Sequence, residues 1–446
     1  MKRDIYQNLL TWKKDPRRKP LVLKGARQVG KTFVLKDFGC TEYADLAYFN
    51  FEEDPELSGF FSGRLDPKSI VQTLSIYREK EISSDRTLIV FDEVQSSPRV
   101  LTCLKYFCEL APQYHVIAAG SLLGIKIGQS APFPVGKVDF LDLYPMSFAE
   151  FLDAVGKSQL RILLETCEFA PLATAFHREL TRLLRLYYFV GGMPEAVSQY
   201  VQTDNLEVVR QVQNSILVAY EFDFSKHTTR TEAMRIAGTW ESIPTQLAKK
   251  KKTFSYANVA KNARAREYGE SIQWLSDAGL IIRVNNIATP RLPLTSYQEG
   301  PFKLYLLDVG LLGAMTKLSQ RMIVSGNVLF TEFNGAFVEN FVAQELLANG
   351  QKQLFYWTSK HQAEVDFVVQ IGEHVFPLEV KAGISKQKKS LRVYGDKYKP
   401  PVLSRSTLMN FKEDGHVRNY PLYALWQFLP RTRELSNSGT PTKHSH

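Results

Sequence analysis

Lys19-Pro-Leu-Val-Leu-Lys-Gly-Ala-Arg-Gln-Val-Gly-Lys-Thr-Phe33 reads as a short apolar strand, a glycine-bounded loop and the first turn of a helix. Gly25, Gly30, Lys31 and Thr32 satisfy the phosphate-loop spacing G-x-x-x-x-G-K-[ST]. Glycines let the backbone wrap a phosphate, so Gly25, Ala26, Arg27, Gln28, Val29, Gly30, Lys31 and Thr32 form the expected cradle. Their N–H groups point inward beside a helix N-terminus that carries partial positive charge. Lys31 is expected to reach the β- and γ-phosphates, and the Thr32 hydroxyl is a hard oxygen ligand for Mg²⁺. The first expectation is therefore a site for ATP and Mg²⁺.

Downstream, Thr87-Leu-Ile-Val-Phe-Asp-Glu-Val-Gln95 is an apolar strand ending in two acids. A run apolar on both faces suits a buried parallel strand, and ligands of open α/β sheets sit at the carboxyl ends of such strands. Asp92 is expected to hold Mg²⁺, and Glu93 to polarise the attacking water. Val100–Glu109 has helical amphipathicity. Tyr114–Ala119 is a further strand, ending at Gly120-Ser121, where Ser121 either senses the γ-phosphate or simply closes the strand. With the strand Leu46–Phe51, the alternation predicts a doubly wound, mostly parallel sheet.

The chain has 446 residues, enough for about three domains, and its 44% hydrophobic and 23% charged residues are those of a globular protein. No apolar run is long enough for a transmembrane helix, and Met1-Lys-Arg-Asp-Ile-Tyr6 lacks a signal-peptide core, so a cytoplasmic protein without membrane contact is expected. Cys40, Cys103, Cys108 and Cys167 lack metal-ligand spacing and are expected to be reduced thiols. The net charge of +10 permits contact with DNA or another polyanion, although solvated lysines also account for it.

Gly25–Thr32, Phe91-Asp-Glu-Val-Gln95, Ala119-Gly-Ser121, Leu143-Tyr-Pro-Met-Ser-Phe-Ala-Glu-Phe151 and Gly191-Gly-Met-Pro-Glu-Ala196 together resemble a bacterial and archaeal family. Its members are AAA-type ATPases with a C-terminal domain of unknown function. The resemblance implies ATP binding and slow hydrolysis, names no substrate, and suggests that Gly191–Pro194 lies near the nucleotide; as residues alone, that stretch is a turn. Two departures stand out. Ser121 replaces the usual Asn sensor, and Lys137 lies where a similar member often has Arg. Lysine lacks the guanidinium fork, which leaves ring-type cooperative hydrolysis without its usual residue. Lys137 reads equally as a solvated loop residue. Ser147-Phe-Ala-Glu150 fits a helix capping box opening a helical lid.

From about Ser215 to Pro290 the pattern is helical, closing at Gly279 before a short strand, as winged-helix modules do. Arg264 and Arg266, helped by Lys249–Lys252, would meet DNA in one reading; in the other the module is a structural joint with solvated lysines. Beyond it, Gln362–Gln370 and Val375–Lys381 alternate around a turn at Gly372-Glu373, predicting a hairpin in which facing residue numbers sum to 745. Asp366 then opposes Glu379 and Glu364 opposes Lys381, all four on one face, with Val365, Phe367 and Val380 on the other. Two opposed carboxylates are unfavourable unless a cation lies between them. Glu339, on an otherwise apolar helical stripe, supplies a further acid. Glu339, Asp366, Glu379 and Lys381 resemble the acidic quartet of the PD-(D/E)xK nuclease superfamily, especially its junction-resolving branch. That resemblance implies a second metal site on the three acids, with Lys381 stabilising phosphate charge. Lys386–Lys389 reads as a phosphate contact or a solvated helix start.

The expected architecture is α/β: a P-loop NTPase parallel sheet over 1–150, a helical lid or connector over 151–205, a winged-helix-like segment over 206–295, a nuclease-like α/β domain over 296–430, and a disordered tail over 431–446. The first functional expectation is an ATPase controlling a nucleic-acid-binding or nuclease-like domain. The rival is an ATP-dependent conformational switch whose inactive C-terminal domain engages a protein partner. A homo-oligomer fits either.

Overall fold

The computed structural model describes residues 1–121, 136–226, 228–261, 263–319, 334–359, 363–382 and 389–437. Expectations resting on Phe133–Val135, Asn262, Phe333, Gln362, Lys386–Lys388 and the tail from residue 438 lie outside the described residues. Residues 431–437 of the tail expected to be disordered instead belong to a helix, with Thr432 buried and Arg431 bonded to Cys167 O at 2.6 Å. The chain divides into two compact units, Met1–Tyr144 with Gln273–Leu280, and Pro145–Ile272 with Ile281–His446.

The first unit opens with α1 (Ile5–Lys14), β1 (Leu21–Lys24), α2 (Lys31–Glu42) and β2 (Asp45–Asn50). It continues through α3 (Pro67–Tyr77), β3 (Thr87–Asp92), α4 (Pro98–Leu110), β4 (His115–Gly120) and β5 (Asp139–Asp142). The five strands form one sheet in the order β2-β3-β4-β1-β5, and every pairing is parallel. A parallel sheet needs cover on both faces. That requirement explains why Leu88, Ile89, Val90 and Phe91 of β3 are all 0% exposed. Phe51, Phe61 and Phe91 meet edge-to-face within this core. Because all strands point the same way, the residues after β1, β3 and β4 emerge at one edge of the sheet.

The second unit begins with helices: α5 (Phe148–Ala154), α6 (Ser158–Thr166), α7 (Thr174–Val190), α8 (Pro194–Thr203), α9 (Leu206–Lys226) and α10 (Arg230–Leu247). The Ser147/Glu150 capping box forms at the start of α5. Next come α11 (Ala265–Asp277), whose last turn counts with the first unit, then β6 (Ile281–Ile287), β7 (Gln298–Leu306) and α12 (Val309–Met315). The chain closes through α13 (Asn334–Ala348), β8 (Leu354–Thr358), β9 (Glu364–Ile371), β10 (His374–Val380), α14 (Lys389–Tyr398), β11 (Leu403–Thr407), β12 (Lys412–Asp414), β13 (Val417–Pro421) and α15 (Phe428–Asn437). Its eight-stranded sheet runs β12-β13-β11-β10-β9-β8-β6-β7. Among the described residues, no helix is long and apolar enough to cross a membrane.

The Gly191-Gly192 turn is a packing centre of this unit. The buried Asp308 carboxylate accepts the Gly192 amide at 2.6 Å and the Leu311 amide at 3.0 Å, joining the end of α7 to the start of α12. Gly191 has φ 73°, and a β-carbon there would lie 2.2 Å from Asp308 Oδ1. Gly191→Ala should therefore destabilise the protein by about 2–4 kcal/mol. Gly59→Ala, with nothing within 4 Å of the added carbon, should stay within about 0.5 kcal/mol of wild type. Urea denaturation of both variants checks this, and equal midpoints would contradict the packing argument.

Candidate functional site

The loop after β1 turns at Gly25, where a side chain would strike the Leu143 carbonyl at 2.3 Å. Gln28 and Gly30 have φ 63° and 92°, and α2 starts at Lys31. Lys31 is 5% exposed, and its ammonium donates to the carbonyls of Gly25 at 3.0 Å and Ala26 at 2.8 Å. Burial lowers its pKa to about 8, against the opposing pull of Glu93 and Asp92. Arg3 braces the same loop, donating to Val29 O at 2.9 Å and Tyr144 O at 2.7 Å. Arg27 reaches Glu52 at 3.7 Å.

Thr32 Oγ1 donates to Asp92 Oδ2 at 2.7 Å. Tyr48, on the neighbouring β2, donates to the same oxygen at 2.8 Å, and the Glu93 amide donates to Asp92 Oδ1 at 2.9 Å. Glu93 sits in the left-handed region at φ 53°, which turns its side chain out of the strand's alternation. Gln95 Nε2 donates to its carboxylate, and burial raises the Glu93 pKa. Ser121 directly follows β4, with its hydroxyl buried and without a hydrogen-bond partner among the described residues. The loop amides thus lie with a hydroxyl and a carboxylate that share one hydrogen bond, a donor set of hard oxygens suited to Mg²⁺ beside phosphates. Lys137 is paired with Glu109 at 2.9 Å. Tyr48 and Arg3 escaped the sequence reading because neither belongs to a motif.

A second charged centre lies in the other unit. The β9–β10 ladder keeps the sum of 745 from His374↔Ile371 to Leu378↔Phe367. The β8–β9 pairing shifts register between Phe355 and Trp357. The β9–β10 ladder ends at Leu378↔Phe367, so the expected facing pairs Asp366–Glu379 and Glu364–Lys381 fall beyond it, and Glu364 accepts from Lys303 at 2.5 Å. Beside the β8–β9 shift, Val365 and Val368, three residues apart, belong to one apolar cluster with Trp357. Lys381 lies 3.1 Å from Glu379 and 4.0 Å from Asp366, whose Oδ2 also accepts the Val380 amide at 2.7 Å.

Glu339 is ringed by donors. Lys252 bonds its Oε1 at 2.5 Å, Tyr305 its Oε2 at 2.7 Å, and Lys303 approaches Oε2 at 3.6 Å. Lys252 passes over Gly335, where a β-carbon would lie 2.5 Å from its ammonium. Lys252 is therefore not the solvated or phosphate-facing residue expected of the Lys249–Lys252 run. Burial pushes the Glu339 pKa up, but Lys303 and Lys252 outweigh it and hold the group ionised. Burial and then the Glu339 charge raise the Asp366 pKa. Burial would lower the Lys303 pKa, but Glu339, Glu364 and Asp366 raise it further. Among the described residues, no three Asp, Glu, His or Cys side chains are grouped to hold a metal ion. Arg264 and Arg266 are exposed beside the start of α11.

Residues 17–152 match the family model described as an AAA domain. Residues 181–322 and 334–426 match two models described as domains of unknown function, DUF8612 and DUF4143. No curated protein matches the chain. Among solved structures, PCH-2 from C. elegans is similar at 12% identity and a TM-score of 0.29, covering 47% of this chain and 67% of that one. AMPPCP-bound DnaA from Aquifex aeolicus is similar at 14% identity and TM-score 0.29, covering 61% and 85% respectively. Cdc6p from Pyrobaculum aerophilum follows at 14% identity and TM-score 0.24, covering 72% and 96%. The P-loop geometry, the strand order and the family match make the N-terminal unit an ATP-binding AAA module.

Thr32→Val keeps the shape of residue 32 and removes its hydroxyl. Binding of a fluorescent ATP analogue should then lose most of the tightening that Mg²⁺ gives, about tenfold or more. Affinity measured in chelator should change little. Full Mg²⁺-dependent tightening in the variant would contradict the role assigned to Thr32.

Proposed function

We propose that the protein is a slow, Mg²⁺-dependent ATP hydrolase whose nucleotide cycle controls a C-terminal nucleic-acid-binding domain that does not cut its ligand. The observation that carries the first half is the joining of Lys31, Thr32, Asp92 and Glu93 at one sheet edge. Lys31 neutralises charge on the β- and γ-phosphates, while the loop amides hold the phosphate chain in line. Thr32 and Asp92 would hold Mg²⁺, which supplies charge neutralisation on the phosphate oxygens. Glu93, raised in pKa by burial, accepts the proton of the attacking water. Ser121, at the end of β4, is positioned as the γ-phosphate sensor.

In this reading the nucleotide domain ends near residue 150, a helical connector follows to about residue 205, and the protein works in the cytoplasm. The helices α10 and α11 with the β6–β7 hairpin form a winged-helix-like segment, with Arg264 and Arg266 available to phosphates. The succession helix, three antiparallel-neighbour strands, helix and a fourth strand parallel to β10, from α13 to β11, supports a nuclease-like domain. Glu339, Asp366, Glu379 and Lys381 are its vestigial centre. What favours binding over cleavage is the occupation of both Glu339 oxygens by Lys252, Tyr305 and Lys303. A carboxylate paired this closely with ammonium groups is poorly disposed to take a divalent ion.

Glu93→Gln should still bind ATP while phosphate release falls by about 10²–10⁴-fold. Branched DNA incubated with the wild type and Mg²⁺ or Mn²⁺ should remain intact. Unchanged turnover in Glu93→Gln would remove the hydrolysis assignment. DNA cleavage abolished by Asp366→Ala would remove the non-cutting one.

A further inference from the structure

Tyr48 stands at the nucleotide edge although no phosphate-loop motif calls for it. It lies in β2, two positions before Asn50, and Asn50 is in register with Asp92 of β3. Residues in register on adjacent strands share a sheet face, and so do residues two apart on one strand. Tyr48, Asn50 and Asp92 therefore line one face, while Ala47 and Phe49 turn to the other and are buried. The helix α2 packs on the first face. Thr32 and Lys36 are four positions apart and so lie on one side of it. Thr32 bonds Asp92 at 2.7 Å, and the Lys36 ammonium sits over the Tyr48 ring at 4.1 Å. The ring is thus held by α2 with its hydroxyl aimed along the sheet at Asp92.

An ionised carboxylate offers about four acceptor sites. Asp92 is 0% exposed, and three donors reach it among the described residues. Thr32 and Tyr48 share Oδ2 at 2.7 and 2.8 Å, and the Glu93 amide takes Oδ1 at 2.9 Å. Most of the acceptor capacity is therefore filled, and the direction of what remains is set by these three bonds. The Thr32 hydroxyl has lone pairs for an ion while its proton stays on Asp92, and the Glu93 amide is fixed by the backbone. Tyr48 has neither duty: its oxygen receives only a long contact from Asn50 Nδ2, at 3.5 Å. A neutral donor locked against a carboxylate in this way orients it as a metal ligand.

We propose that Tyr48 is a positioning residue for the metal: by filling Asp92 Oδ2 it aims the free lone pair of Asp92 at the ion that accompanies ATP. Tyr48 acts through Asp92 and is not itself a ligand. This rests on the reading of Thr32 and Asp92 as the pair that holds Mg²⁺.

The test is a Mn²⁺ titration followed by electron paramagnetic resonance, on full-length wild type and Tyr48→Phe saturated with a non-hydrolysable ATP analogue. The substitution keeps the ring under Lys36 and removes only the donor. Half-saturation should require about tenfold more Mn²⁺. Affinity for a fluorescent ATP analogue in chelator should match the wild type, because the loop amides and Lys31 are untouched. Raised Mg²⁺ should restore phosphate release, which it would not do if Tyr48 only held β2 in place. Wild-type Mn²⁺ affinity in Tyr48→Phe, or turnover that raised Mg²⁺ does not restore, would overturn the positioning role alone. So would a loss of analogue affinity in chelator, the mark of a displaced loop or an unfolded chain. A wild-type complex that holds no Mn²⁺ would overturn the Thr32–Asp92 metal reading, and the role of Tyr48 with it.

Discussion

The hydrogen bond from Thr32 to Asp92 joins two segments that are sixty positions apart in the chain, at 2.7 Å. It exists because β1 and β3 are parallel members of one sheet, so the loop after one and the acid ending the other emerge at the same edge. Other features of the N-terminal unit hold that meeting in place. Tyr48 fixes the shared carboxylate oxygen from β2, Arg3 ties the loop to the backbone of Tyr144, and Gly25 gives room to the Leu143 carbonyl. The left-handed turn at Glu93 sends the second acid away from Asp92 and towards Gln95. Two adjacent carboxylates thereby acquire different surroundings, which is what separate metal-holding and proton-accepting roles require.

The C-terminal centre solves a different electrostatic problem. Glu339, Asp366 and Glu379 are all buried, and carboxylates removed from water need either a metal or cations of the protein's own. Here Lys252, Lys303 and Lys381 do that work, delivered from a loop, a strand and a strand end. An acidic constellation satisfied in this way stabilises a fold without a bound ion. The nucleotide centre differs: beside its two acids the neighbouring ammonium, Lys31, is bonded to loop carbonyls and not to either carboxylate.

Much of the nucleotide site was legible because its information is local. A phosphate loop needs glycines, a lysine and a hydroxyl at fixed spacing, and a buried parallel strand shows as an unbroken apolar run before Asp92. The hairpin register followed from a two-residue turn at Gly372-Glu373, and the ladder keeps it as far as Leu378. Tyr48, Lys252, Lys303 and Asp308 were not legible, since each acts on a residue distant in sequence and belongs to no motif. The register shift beside Trp357 was equally silent, as was the pairing of Glu364 with Lys303. Lys252 was the most misleading, because a lysine run looks solvated until the dimple at Gly335 is known.

The account divides metal chemistry sharply between its two centres, and counting bound Mn²⁺ by electron paramagnetic resonance on the full-length protein, with and without a non-hydrolysable ATP analogue, tests that division most directly. The expected result is one tightly bound ion per chain with the analogue and none without it, since in the proposed reading Thr32 and Asp92 would hold the metal only together with phosphate oxygens. A tightly bound ion without nucleotide, lost on replacing Glu339 or Asp366, would contradict the account.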